Sequence, residues 1–282
     1  MILRLVAAVL LAACAAPPAP PAGPPRRIVS LAPSITEIVY ALGAGDRLVG
    51  VCAACNQPAA AGLPRVGGYL APSVEATLAL RPALVIVVPS PGNREAVRAI
   101  ERAGVRVLVV QDRTLGDLWA SIRDISTALG NEGEGAALVG DLQHRLDDVR
   151  ARVAGRPRPR VLAIVGHRPL MAVGPGTLQN ELIAIAGGEN VMADAGGPWP
   201  TLDLELVVAR APDVIVDTSM GGEAGMHDLF DDLTTVPAVR AGRVVRLADA
   251  DPFLRAGPRV PAAAAALAAL VHPSAFATPG TS

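Results

Sequence analysis

A segment that occurs twice, once in each half, constrains this chain more than any other feature. The first copy runs from Ser73 through Glu75 and Pro82 to an apolar stretch ending at Val88; the second runs from Asp203 through Glu205 and Pro212 to Asp217. In both, a helix-capping residue stands two before the Glu and the Pro stands seven after it. The β-branched run beyond each Pro reads as a buried parallel strand. A helix, a Pro and a strand repeated in this order predict two similar α/β lobes. Glu75 and Glu205 then occupy equivalent places on the two surfaces, and matched surface acids suit a partner that is itself two-fold symmetric.

The beginning of the chain bears on where it works. Residues 1–13 carry one basic residue, Arg4, and an apolar run ending Leu11-Ala12-Ala13. That run is too short to span a bilayer and has the form of a secretory signal. The small residues before Cys14 resemble a bacterial lipobox, in which the Cys becomes the lipid-modified first residue; the other reading is a short apolar helix with an incidental Cys. Residues 14–26 are rich in Ala and Pro, which favours an extended, solvated tether. The chain is therefore expected outside the cytoplasm, anchored to a membrane through Cys14 and held off its surface.

Composition excludes other classes. Hydrophobic residues make up 51% of the chain, enough for a sizeable core, and no later apolar run is long enough to span a bilayer. Net charge is -1 with no basic tail, so no nucleic-acid partner is expected. Every basic residue is Arg and none is Lys, which reads as compositional bias. Aromatics are only 2%, so each one present invites a reason. Cys52 and Cys55 form a C-x-x-C after a strand: a structural or incidental pair, a thioredoxin-like redox motif, and a loop that touches ligand are all open. Zinc would need two further ligands at suitable spacing, and none is found, so no metal site is expected.

Periodicity and punctuation order the rest. Arg27 to Leu31 reads as a strand, and Ser34-Ile-Thr-Glu37 as a capping box opening a helix through Leu42. Strand Leu48 to Val51, the first repeat, helix Arg94 to Ala103 and strand Val105 to Val110 continue a β-α-β alternation. Leu115 to Leu129 is an amphipathic helix. Glu132 to Val153 follows as a rod of roughly 33 Å, with Leu138, Leu142, Leu146, Val149 and Val153 along one face. Strand Val161 to Val165, helix Asn180 to Ala186, the second repeat, a strand near Val244 and helix Ala262 to Val271 form the second half. The expected organisation is an N-terminal lobe (27–130), a connecting helix (131–156), a C-terminal lobe (157–273) and a disordered tail (274–282).

Five stretches in order carry a resemblance: Arg27-Ile-Val-Ser-Leu-Ala-Pro-Ser-Ile-Thr-Glu37, Leu63-Pro-Arg-Val-Gly-Gly-Tyr69, Gly187-Gly-Glu-Asn190, Pro198-Trp-Pro200 and Gly257-Pro-Arg259. Over residues 27–272 the chain resembles the helical-backbone substrate-binding proteins of ABC importers, within them the cobalamin-binding branch; heme- and siderophore-binding relatives share the fold and the opening motif. The resemblance implies an α/β fold of two Rossmann-like lobes with parallel sheets, one long connecting helix, and a ligand in the cleft between lobes. It implies that Glu75 and Glu205 meet arginines of a permease dimer served by ATPase subunits. The alternative for each Glu is a favourable charge in a helix's first turn.

The resemblance also nominates ligand contacts. Tyr69 and Trp199 match aromatics that face each other from the two lobes, where flat rings suit a flat tetrapyrrole-like ligand. Asp251, Phe253 and Arg255 match a loop at the ligand edge, where an acceptor and a donor fork suit the amide rim of a corrinoid. Met171 stands where relatives often carry an aromatic, and Ser34 is a further contact candidate. Ala54 and Gln57 depart from the pattern, standing where relatives often have Tyr. His167 follows the first strand of the second lobe, so it is read either as a solvated loop side chain or as a metal-reaching ligand. His144, His227 and His272 show no ligand spacing. No nucleophile elbow, Walker loop or G-x-G-x-x-G after a strand is present, so no enzymatic activity is expected. An exported thiol-disulfide enzyme using Cys52 and Cys55 is the reading from another class.

Overall fold

The structure is a computed structural model that describes residues 23–219 and 229–276. The expected leader, Cys14, most of the tether and His227 lie outside the described residues. Among the described residues no helix is long and apolar enough to cross a membrane.

The N-terminal lobe is built on four parallel strands in the order β2-β1-β3-β4: β1 Ile28–Ser30, β2 Leu48–Val51, β3 Leu84–Val87 and β4 Arg106–Val109. Between them lie α1 (Pro33–Ala41), α2 (Val74–Ala79) and α3 (Arg94–Arg102), and α4 (Leu115–Leu129) follows β4. The C-terminal lobe has β5 Arg160–His167, β6 Leu170–Ala172, β7 Glu189–Asn190, β8 Val214–Asp217 and β9 Val244–Arg246. Its order is β6-β5-β8-β9, with β7 also on β5. The sheet is parallel as expected in its β7, β5, β8 and β9 pairings, and β6 adds an antiparallel edge because it turns straight back along β5. A three-residue return leaves no room for the crossover that parallel pairing requires.

The repeat is carried into backbone detail. The Ser73 hydroxyl accepts from the Ala76 N–H at 3.1 Å, and the Asp203 carboxylate accepts from Leu206 N–H at 2.7 Å. Each is the N-cap of its helix, α2 or α7 (Leu204–Arg210), and satisfies an otherwise orphaned donor. Both helices end on a left-handed residue just before the Pro, Arg81 at φ 45° and Ala211 at φ 42°. Arg27 donates to the Leu80 carbonyl at 2.6 Å, and Arg160 donates to the Arg210 carbonyl at 2.7 Å. The carbonyls of these same two arginines accept from Ala83 and Asp213 N–H, both at 2.8 Å. One local design therefore closes the helix onto the sheet in each lobe.

Between the lobes runs α5 (Glu132–Val153), with the bounds its periodicity predicts. Its buried stripe, Leu142, Leu146, Val149 and Val153, lies against α4 on one side and α6 (Leu178–Ile185) and the long C-terminal helix on the other. Further helices among the described residues are α8 (Pro237–Arg240), α9 (Asp251–Leu254), α10 (Val260–Val271) and α11 (Pro273–Phe276). The last of these corrects the expected start of a disordered tail. Arg152 of α5 sits 5.1 Å over the Phe276 ring, a cation–π contact that ties the turn to the rod.

The capping box at Ser34 is also corrected. Helix α1 begins at Pro33 with Ala32 as its N-cap, and no side chain caps it. Proline is favoured at the first helical position, which makes Ser34 the second residue of the helix rather than its cap. Glu37 is thereby released to reach across the lobes. Its buried carboxylate accepts from Arg259 at 2.9 and 3.3 Å and lies 3.8 Å from Arg255. A Cβ at position 257 would meet the Glu37 carboxylate at 2.8 Å, so Gly257 leaves that space.

Candidate ligand-binding cleft

Loops at the carboxyl ends of the strands in both lobes converge on one cleft of about 530 Å³. This is where open α/β sheets place ligand sites. The N-terminal lobe contributes Ala32, Pro33, Ala54, Tyr69 and Asp112. The C-terminal lobe contributes Val165, Met171, Gln179, Trp199, Leu254 and Arg255. The surface is largely apolar, with few polar groups, which suits a sizeable ligand held by burial.

Backbone contacts fix the turns that carry both aromatics, and Tyr69 also packs in part against the core. Trp199 lines the cleft with 45% of its surface exposed, unusually open for so large an apolar side chain. Ala172 and Gly174 N–H donate to the carbonyls of Pro200 and Pro198 at 3.0 and 2.8 Å, pinning the turn on both sides of the Trp. Gly174 is needed there because a Cβ would strike the Gly197 carbonyl. On the other jaw, Asn93 donates to the Tyr69 carbonyl at 3.3 Å. Gly67, at φ 99°, turns the chain where a Cβ would meet Ser73 N at 2.7 Å. Burial, then the nearby Asp112, hold the Tyr69 phenol above its ordinary pKa, so it faces the cleft as a neutral hydroxyl.

Met171 and Arg255 lie on the same cleft. Asp251 sits at its edge, engaged with protein. It accepts from Asn56 of the opposite lobe at 2.7 Å and pairs with Arg255 at 3.1 Å. Arg255 also donates to Asn56 at 2.7 Å. With Glu37 and Arg259 these groups form a polar bridge across the lobes, which the sequence alone did not suggest. Two nominated residues are elsewhere. Phe253 has no exposed surface and its ring is in the core, because Asp251-Pro-Phe-Leu forms a helical turn that points it inward. Ser34 is buried in the first turn of α1, beside the Gly257 turn and off the cleft wall.

Cys52 and Cys55 form a disulfide with both residues buried. The Thr36 hydroxyl donates to Cys55 Sγ at 3.2 Å, and Arg65 donates to the Cys55 carbonyl at 2.6 Å. A bond with no exposed sulfur gives a substrate thiol nothing to attack, so the pair shapes the loop that carries Ala54. His167 turns away from the cleft. Its Nε2 lies 3.3 Å from buried Asp217 and 3.4 Å from the Ser219 hydroxyl. Acid and hydroxyl share one nitrogen, so the three are not a catalytic relay, which needs them on opposite ring nitrogens. Sequence reasoning missed Asp112 and Gln179; each is a polar residue just past a strand or cap, a pattern too common to single out.

Comparison with known proteins agrees with this architecture. The family model for periplasmic binding proteins matches residues 28–250. A vitamin B12-binding protein of Pectobacterium atrosepticum is 29% identical over 248 residues, covering 84% of this chain and 85% of that one. An uncharacterized ABC transporter substrate-binding lipoprotein of Bacillus subtilis is 32% identical over 261 residues, covering 89% of this chain and 82% of that one. A crystal structure of a periplasmic heme-binding protein from Pseudomonas aeruginosa superimposes with a TM-score of 0.79 at 31% identity, covering 90% of this chain and 96% of that one. With two α/β lobes, a connecting helix and a cleft between them, this chain belongs to the periplasmic binding protein family of ABC importer substrate-binding proteins.

Proposed function

We propose that the protein carries cobalamin or a related corrinoid in the cleft between its lobes and delivers it to the permease dimer of an ABC importer. It works outside the cytoplasm, tethered to the membrane through a lipid on Cys14. The observation that carries the reading is the pairing of Tyr69 and Trp199 on opposite walls of one mostly apolar cleft. Two flat rings can sandwich a flat macrocycle, with dispersion and burial giving most of the affinity. The Pectobacterium relative supports the choice of ligand. The tetrapyrrole is cargo, and no resident cofactor is proposed. Glu75 and Glu205, one on each lobe, serve the permease.

A heme-carrying reading draws on the Pseudomonas neighbour and on Tyr69, whose phenolate could bind iron. Without metal, Tyr69 faces the cleft as a neutral hydroxyl beside Asp112, so iron would have to displace its proton. The two readings separate in one experiment. Purified protein is incubated with cyanocobalamin or hemin, passed over a gel-filtration column and examined by absorbance. A corrinoid spectrum travelling with the protein is expected. Hemin retained and cyanocobalamin lost would replace this reading with the heme one.

A further inference from the structure

One acid on the wall of the cleft, Asp112, is not needed by the fold around it. Asp112 follows β4 in a segment fixed by both lobes. The Ser121 hydroxyl donates to the Gln111 carbonyl at 2.6 Å, Leu178 N–H donates to the Arg113 carbonyl at 2.5 Å, and Leu115 N–H donates to Glu181 at 2.6 Å. Asp112 is therefore carried on a braced support, which is what a recognition residue requires. Among the described residues its carboxyl group has no hydrogen bond and no ion pair. Burial, and then the like charge of Asp117, raise its pKa, the signature of an acid whose charged form lacks a partner.

The rest of the cleft does not offset that acid. Among the described lining residues Arg255 is the one cation, and its guanidinium is already committed to Asp251 and Asn56, with Glu37 nearby. Among the described residues that line the cleft, a ligand bearing carboxylates on its rim would find no uncommitted cation and would meet Asp112. A ligand bearing amides would offer the N–H donor that Asp112 lacks.

We propose that Asp112 is a specificity-determining residue, accepting a hydrogen bond from an amide on the rim of the bound tetrapyrrole and rejecting rims that carry carboxylates. The inference rests on the corrinoid reading for its natural ligand, but the selection acts on rim chemistry whatever the metal or ring.

The test compares two ligand pairs that differ only in rim charge: cyanocobalamin with its singly hydrolysed monocarboxylic acids, and hemin with its bis-amide. Each is titrated calorimetrically against wild type, Asp112→Asn and Asp112→Glu. Wild type should bind the amide member of each pair roughly tenfold or more tighter, for at least one of the monocarboxylic isomers, as expected for like charges brought together at an interface. Asp112→Asn, nearly isosteric and uncharged, should bring each ratio to within about twofold, while Asp112→Glu should retain discrimination. Cyanocobalamin binding with ratios that Asp112→Asn leaves unchanged would overturn the role of Asp112 and leave the corrinoid reading standing. Loss of cyanocobalamin binding beside an Asp112-dependent preference for the hemin bis-amide would do the reverse. Binding of none of the four would overturn both.

Discussion

Arg81 and Ala211 hold the same unfavourable backbone conformation for the same purpose. Each must turn sharply so that the Pro after it can lead into a central strand, and each does so at positive φ without being glycine. A side chain there costs about 1–2 kcal/mol relative to the right-handed region. Glycine removes that cost but loosens the unfolded chain, so Arg81→Gly and Ala211→Gly should each stabilise the fold by only about 0.5–1 kcal/mol. Urea denaturation measures this, and destabilisation by either change would show that the Cβ contributes more through packing than it costs in strain. His272 makes a prediction about pH. Burial lowers its pKa, the Gly187 carbonyl partly opposes this, and Arg156 and Arg243 lower it further. Below the ordinary value of 6.5 the unfolded chain therefore binds the proton more readily than the folded one. This residue's contribution to stability is intact above 6.5 and is lost as the pH falls towards the lowered value. Denaturant midpoints at about pH 7.5 and about pH 5.5 should fall further for wild type than for His272→Gln; equal falls would assign the acid sensitivity to other groups.

Among elements, α5 sets the distance between the lobes, and two of its glycines have opposite consequences. Gly140 is solvent-facing with open space where a Cβ would stand, so Gly140→Ala should stabilise by about 0.5–1 kcal/mol through helix propensity alone. Gly135 is buried against α4, where a Cβ would overlap the Ser126 side chain, so Gly135→Ala should cost about 1–3 kcal/mol. Thermal melts of the two variants should move in opposite directions, and movement in the same direction would mean that α4 and α5 are not packed at this point. The bounds of α4 and α5 were legible because long amphipathic periodicity is a local property of the chain. The repeat was legible for a similar reason, since cap, Glu, Pro and strand follow one another in sequence. What escaped depends on partners far along the chain. β6 is three residues with no alternation of its own, defined by β5 on one side and the Thr201 segment on the other. The partner of Glu37 stands 222 residues away, and at the start of α1 a Pro displaced the cap that the local spacing favoured. In the cleft, Tyr69 and Trp199 were nominated by the family resemblance, and the scarcity of aromatics only drew attention to them. Asp112 was not singled out, because an acid after a strand signals nothing until the opposite lobe is in place.

On the scale of the whole molecule, the two repeats present one acid on each lobe at matching points of matching helices. Glu75 and Glu205 are both exposed, and among the described residues neither is engaged in an ion pair or lines the cleft. Each favours its helix's first turn by about 0.3–1 kcal/mol, too little to require the same residue in both lobes. The docking on a symmetric permease proposed above would supply the missing reason. A single exposed ion pair contributes little, yet two charges engaging arginines at one interface can govern its rate and register. Glu75→Ala and Glu205→Ala should therefore leave ligand affinity unchanged and reduce uptake, with the double variant worse than either single one. Replacement by Arg should be more damaging than replacement by Ala, because it adds repulsion where attraction was lost. Uptake by a reconstituted importer, measured beside ligand titration on the same preparations, decides the matter. Normal uptake by the double variant would end the docking assignment, and so would a loss of ligand affinity that tracks the loss of transport.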